Sequence, residues 1–120
     1  MFAYSYLFVP ADRSERFAKA LQAGAHAVII DLEDAVAPDA KVAARATLAE
    51  WLASAASGSV HLRINPQQTP WFEDDLALCA LPAVAGIVFP KTESPQQIAT
   101  LLEAAPGKPI LPLIETAAGM

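Results

Sequence analysis

The stretch Val28-Ile29-Ile30-Asp31-Leu32-Glu33-Asp34-Ala35-Val36 limits the possible folds more than any other part of the chain. It opens as a continuous run of β-branched apolar residues, the pattern of a strand buried on both faces. The carboxylates Asp31, Glu33 and Asp34 then arrive almost together. Unpaired charge in the middle of a buried strand is costly to desolvate. The acids are therefore expected where the strand ends and the sheet opens to water, which in parallel α/β proteins is the edge where ligands bind. The competing reading is a helix cap followed by a solvated loop.

The same punctuation recurs along the chain. Tyr6-Leu7-Phe8-Val9 is a short apolar strand stopped by Pro10. Asp12 and Glu15 form a capping-box pattern. Phe17, Ala20 and Leu21 mark one face of the next helix, and Gly24 ends it. Strand two runs from Ala27 to Ile30. Pro38 and Asp39 open a second helix with a buried stripe of Leu48, Trp51, Leu52 and Ala55, and Gly58 lies past its end. Strand three is Val60 to Ile64, followed by the loop Asn65-Pro66-Gln67-Gln68-Thr69-Pro70. A short third helix carries Phe72, Leu76 and Cys79. Strand four is Gly86 to Phe89, closed by Pro90 and Lys91. Ser94-Pro95-Gln96-Gln97 is a second capping box, ahead of a helix whose apolar face is Ile98, Leu101, Leu102 and Ala105. Strand five is Pro109 to Ile114, with Glu115 directly after it.

Strand and helix thus alternate four times before a fifth strand, the mark of a parallel α/β sheet. Two closures fit: a doubly wound sheet or a (β/α)8 barrel. No strand is followed by Gly-x-Gly-x-x-Gly, so the dinucleotide-binding form of the first has no support. A barrel takes roughly 200 to 250 residues. The chain has 120, so the barrel reading makes it a single, incomplete domain over residues 1–120, the N-terminal part of a TIM barrel through about its fifth strand, without the C-terminal half.

Thirteen acids against eight bases give a net charge of -5. A general nucleic-acid binder needs a basic face, so that class is set aside. The longest uncharged run, Leu76 to Pro90, is shorter than the roughly 18 residues that span a bilayer. The N-terminus lacks the basic region of a signal peptide, and the single cysteine, Cys79, allows no internal disulfide. The expectation is a cytoplasmic protein with neither membrane nor nucleic-acid partner.

Polar groups come after every strand: Pro10, Asp12 and Arg13; Asp31, Glu33 and Asp34; Arg63 and Asn65; Lys91; Glu115 and Thr116. Their convergence on one end of the sheet is the pattern of an active site. Glu115 beside other acids suits a hard divalent cation such as Mg2+. Arg63 offers a planar fork for a carboxylate, and Lys91 and Arg13 add positive charge. A metal beside an arginine is a receptor for a 2-oxo or 2-hydroxy acid, the cation polarising the oxygen while the guanidinium holds the carboxylate. Against this, Arg63 is also placed to pair with Asp31 or Glu33 across neighbouring strands, Lys91 to lie on a helix surface, and Asp12 to act as a cap. His26 and His61 read as structural, and Cys79, Trp51 and Trp71 as packing.

Five motifs carry a resemblance: Ser5-Tyr6-Leu7-Phe8-Val9-Pro10-Ala11-Asp12-Arg13, Asp31-Leu32-Glu33-Asp34-Ala35-Val36, Leu62-Arg63-Ile64-Asn65-Pro66, Phe89-Pro90-Lys91 and Leu113-Ile114-Glu115-Thr116-Ala117. In this order they resemble the citrate lyase beta subunit family of the wider HpcH/HpaI aldolase group. The resemblance implies a TIM barrel and an Mg2+-dependent carbon-carbon lyase. Its substrate would be a 3-hydroxy acyl thioester, citryl-CoA or similar, cleaved to a 2-oxo acid and an acyl thioester. It implies that Arg63 binds the substrate carboxylate, that Glu115 ligates Mg2+ and touches substrate, and that Glu33 and Asp34 lie behind the metal or at its bound water. It also implies that Lys91 and Arg13 line the pocket. The second metal ligand of the family falls beyond residue 120. A homo-oligomer, often a trimer, or assembly with other lyase subunits is the implied quaternary state. The alternatives are a malyl- or citramalyl-CoA lyase, a free 2-oxo acid aldolase, and a non-catalytic truncated fragment that retains part of the pocket.

Overall fold

A computed structural model describes residues 6–24, 27–90 and 95–113. Five strands alternate with four helices: β1 (Tyr6–Pro10), α1 (Phe17–Gln22), β2 (Ala27–Asp31), α2 (Lys41–Ser54), β3 (Val60–Arg63), α3 (Phe72–Leu78), β4 (Val84–Pro90), α4 (Pro95–Ala104) and β5 (Ile110–Leu113). The strands form one parallel sheet in the order β1-β2-β3-β4-β5. The order runs one way, with no reversal among the described strands. Parallel crossovers are right-handed almost without exception. A sheet that steps always in the same direction therefore receives every helix on the same face.

The packing has this one-sided character. Val28, Ile30, Leu62 and Ile87 belong to a buried cluster with Phe17, Leu48, Leu52, Leu76 and Leu101 of the helices. Side chains alternate across a strand, so the residues between them face the other way. By register these are Phe8, Ile29 and His61 in one row, and Asp31 and Arg63 in the next. Ile29 is buried yet stands apart from the helix-side cluster, while Tyr6 and Phe8 at the β1 border are exposed.

Gly86 serves a close approach on this second face. A Cβ there would lie 2.8 Å from the Pro109 carbonyl oxygen and 2.9 Å from the His61 ring. The register of β3 against β4 shifts beside it, between Val60 and His61. Gly24 sits at φ 85°, the left-handed conformation that ends α1 as expected.

Several local expectations need correction. Asp12 and Glu15 make no capping box, and no side chain caps the start of α1. The chain instead turns through backbone bonds, Arg13 N to the Pro10 carbonyl and Arg16 N to the Arg13 carbonyl, and enters α1 by a 3-10 turn at Ser14–Arg16. Pro38 and Asp39 likewise form a 3-10 turn ahead of α2 rather than its first residues. Strand β4 begins at Val84, two residues before Gly86. Strand β3 ends at Arg63, because the next polar residue, Asn65, is drawn toward α3 by Asp75. The proposed cap at Ser94, the end of the fifth strand at Ile114, and His26 lie outside the described residues. Trp51 is packing, its ring edge-on to Phe17 at 5.1 Å between centroids. Among the described residues no helix is long and apolar enough to cross a membrane.

Candidate active site at the carboxyl edge of the sheet

Asp31 ends β2 and Arg63 ends β3, and the two residues are register partners. Their side chains meet as a two-pronged pair. Arg63 Nε donates to Asp31 Oδ1 at 3.1 Å and Nη2 donates to Oδ2 at 2.7 Å. The backbone amides of Glu33 and Ala35 donate to the same carboxylate at 2.8 and 3.2 Å. Asp31 is only 2% exposed. The expectation that all three acids open to water therefore fails for Asp31. A charge is tolerated at the end of a buried strand because four donors answer it, two of them from the Arg63 guanidinium.

The other two acids do face the opening. Glu33 Oε1 lies 3.7 Å from Arg63 Nε, and Asp34 Oδ2 lies 3.5 Å from Nη2. The Asp34 side chain is 74% exposed. Arg63 itself is mostly covered, with its guanidinium carbon 5.3 Å from the centre of the Phe8 ring. Among the described residues Nη1 makes no hydrogen bond, so the outer end of the fork remains available. Burial works against the Arg63 charge, but the Asp31 bond and the surrounding carboxylates outweigh it and hold its pKa above the ordinary arginine value. The Glu33 carboxyl is pushed above its usual range, first by burial and then by the Asp34 charge beside it. His61, on the same face, is shifted down by burial alone.

Arg63, Glu33 and Asp34 are thus brought together. Arg13 comes after β1 at the same edge, exposed, with no ion pair among the described residues. Lys91 and Glu115 lie outside the described residues. Cys79 is core as expected, and burial, with Asp75 nearby, pushes its thiol up to about 12.

Four polar residues went unnoticed in the sequence or were assigned no role. Lys41 Nζ donates to the carbonyls of Leu32 at 3.0 Å and Glu33 at 2.6 Å, and lies 5.3 Å from the centre of the Trp71 ring. Asn65 Nδ2 donates to the Leu32 carbonyl at 3.0 Å and to Asp75 Oδ2 at 2.6 Å. Arg45 reaches Asp75 and Asp74, each at 3.3 Å. A signal did exist. Lys41 falls three residues before Ala44 and seven before Leu48, in the buried stripe of α2, and Asp75 falls in the stripe of α3. An ionisable residue at a stripe position needs a partner.

Among the described residues no group of three or more His, Cys, Asp or Glu is arranged to hold a metal ion. The donor set fits Mg2+ in kind: two hard carboxylates stand at the opening, Glu33 and Asp34, and a cation brought by one further ligand would relieve the repulsion between them. A surface concavity of about 510 Å³ between α3 and α4, lined by Gln67, Phe72, Leu76 and Thr100 among others, includes none of Arg63, Glu33 or Asp34. Its position on the helix side separates it from the charged edge.

The fold and the edge define a parallel α/β domain with a mostly covered arginine set among carboxylates at the carboxyl edge of its sheet. The chain belongs to the HpcH/HpaI aldolase/citrate lyase family, whose family model matches residues 4–119. A citrate lyase subunit beta-like protein of Deinococcus radiodurans is 39% identical over 97% of the chain, which covers 44% of that protein. A (3S)-malyl-CoA thioesterase of Cereibacter sphaeroides is 36% identical over 97% of the chain, which covers 41% of it. A solved citrate lyase beta subunit of Mycobacterium tuberculosis, complexed with oxaloacetate and magnesium, superposes with a TM-score of 0.74 at 39% identity. That match covers 98% of this chain and 49% of the other. The chain therefore spans less than half the length of these relatives.

Proposed function

We propose that the chain is the N-terminal part of an Mg2+-dependent carbon-carbon lyase that cleaves a 3-hydroxy acyl-CoA thioester to a 2-oxo acid and an acyl thioester. The observation that carries this reading is Arg63, gripped on one edge by Asp31 and open at Nη1, beside Glu33 and Asp34. A guanidinium with one edge fixed and one end free is preorganised to receive a carboxylate, and it costs little reorganisation when charge develops there. The sheet supports a (β/α)8 barrel as the whole: strands in sequential order with helices on one face are what a barrel wall requires.

In this reading the free end of Arg63 holds the carboxylate that leaves in the 2-oxo acid, while Asp31 orients the guanidinium. Glu33, with its carboxyl raised toward the working range, accepts the 3-hydroxyl proton as the carbon-carbon bond breaks. The electron pair of that bond passes to the thioester fragment, which takes up a proton at its α carbon. Arg13 and Lys91 line the approach for the anionic substrate. Glu115, with a further carboxylate outside this chain, would hold Mg2+, which when bound polarises the substrate oxygen. Glu33 and Asp34 then stand near its water ligands. A homo-oligomer or an assembly with other lyase subunits, and a cytoplasmic setting, complete the proposal.

The test incubates the protein with Mg2+ and a panel of citryl-, malyl- and citramalyl-CoA, monitoring 2-oxo acid and free CoA separately. The expected result is 2-oxo acid release from one of them, reduced at least a hundredfold by Glu115→Gln. Free CoA without 2-oxo acid would redirect the reading to thioester hydrolysis, and undiminished turnover in the variant would remove Glu115 from it. A second reading, a non-catalytic piece that keeps the arginine pocket without a complete metal site, draws on the described residues, among which no three His, Cys, Asp or Glu are arranged to hold an ion. Weak Mg2+ binding, seen by calorimetric titration, is its expected mark.

A further inference from the structure

We infer that Lys41 is a positioning residue for the site: its ammonium, by holding the carbonyls of Leu32 and Glu33, sets the acidic turn against Arg63. The inference rests on the lyase reading for what the site does, but its geometry stands independently. Lys41 is 6% exposed and, among the described residues, has no carboxylate within salt-bridge reach. Its charge is answered by two carbonyls and the face of Trp71. A buried ammonium is a costly way to satisfy carbonyls. The neighbouring Asp34 and Ala35 are exposed, so water could serve the Glu33 carbonyl without that cost.

The surroundings show what the cation accomplishes. Leu32 is fixed at both main-chain atoms: its amide donates to the Arg63 carbonyl at 2.8 Å, and its carbonyl accepts from Lys41 and from Asn65. Asn65 is tied through Asp75 to Arg45, one helical turn beyond Lys41 on α2. The ring thus runs from α2 to the turn after β2, across to the turn after β3, down to α3, and back to α2. By contrast, Glu33 and Asp34 touch Arg63 only at 3.7 and 3.5 Å. Such long contacts between partly exposed charges are too weak to place a turn. The stronger restraints are the bonds beneath them, the turn's amides to Asp31 and its carbonyls to Lys41.

Lys108 provides an internal control. Its ammonium donates to the carbonyls of Leu81 at 2.8 Å and of Val84, just before and at the start of β4, the opposite edge of the sheet. Lys41→Met and Lys108→Met therefore remove the same chemistry at the two ends. In the full chain, labelled with 15N, Lys41→Met is expected to shift the Arg63 Nε–H resonance and to speed its hydrogen exchange at least tenfold. The Glu33 and Ala35 amides, which donate to Asp31, should lose protection with it. Lys108→Met should lower the melting temperature and leave that resonance in place, and Lys41→Arg should restore it. Asn65→Ser, which cuts the ring with the ammonium intact, should move it in the same direction and serves if Lys41→Met fails to fold. An unmoved resonance in folded Lys41→Met, or in Asn65→Ser if that substitution stands in for it, would overturn the inference. An equal shift in Lys108→Met would do the same. A parallel titration with Mg2+ and oxaloacetate should show at least tenfold weaker binding for Lys41→Met and unchanged binding for Lys108→Met. If the unsubstituted protein, together with the part that supplies the further carboxylate, binds no oxaloacetate, the lyase reading fails, while the Arg63 resonance still decides the positioning role.

Discussion

The two edges of the sheet meet the same difficulty in different ways. Each has backbone carbonyls left over where strands begin or end, and each recruits a lysine to satisfy a pair of them, Lys41 at the carboxyl edge and Lys108 at the amino edge. At the amino edge that is sufficient. Lys108 has no acidic partner among the described residues, and the nearby turn is closed by backbone and serine bonds to the Pro82 carbonyl. At the carboxyl edge three acids crowd one guanidinium, that of Arg63. Folding alone has no use for this surplus: Asp31 would suffice to pair Arg63, and Glu33 is shifted up, first by burial and then by the Asp34 charge beside it. Charge beyond what packing requires, gathered at one end, distinguishes the site from its scaffold.

Substitutions should separate the two ends. The largest effect is expected from Arg63→Ala. It leaves Asp31 buried without its cation and should cost about 3–5 kcal/mol in chemical denaturation, along with any 2-oxo acid binding. Survival of either would mean that Asp31 and Arg63 are not the joint described. Next is Gly86→Ala, toward the amino end of the same face. The added Cβ meets the Pro109 carbonyl and His61, and the overpacking should cost about 1–3 kcal/mol while ligand affinity per folded molecule stays unchanged. The smallest and opposite effect belongs to Glu33→Gln. A carboxyl whose folded pKa is raised binds more protons in the native state, so its contribution to stability falls as pH rises above the ordinary value of 4.5. The substitution should therefore raise stability at pH 7, by no more than about 1 kcal/mol for a partly exposed charge. The gain should vanish below pH 4.5. A loss at pH 7 would show that Glu33 is better compensated than its neighbours suggest.

Much of this was legible in the residue order. Alternation and the β-branched runs located all five strands, and the polar residues just past each strand end pointed to Arg63, Glu33 and Asp34 sharing one edge. The signal was strong because a buried strand admits few polar residues. Less legible was the division of labour among the acids. Asp31 and Asp34 look alike in the sequence, and only the register of β2 against β3 shows that the first is consumed by Arg63. The capping box at Asp12 misled because a local pattern states a preference, which the 3-10 entry to α1 overrode. Lys41 and Asp75 were missed for a related reason. Their partners lie 8 to 9 and 10 residues away along the chain, or 30 in the case of Arg45 and Asp75, and no periodicity reveals them.

On the turn after β2, Lys41 and Asn65 grip main-chain oxygens and no side chain. Whatever side chain stands at positions 33 and 34 can be exchanged without loosening that hold. The chain thus keeps frame and reagent in separate hands: a lineage could retune which acid it handles by changing two letters at the opening while the bend that presents them endures.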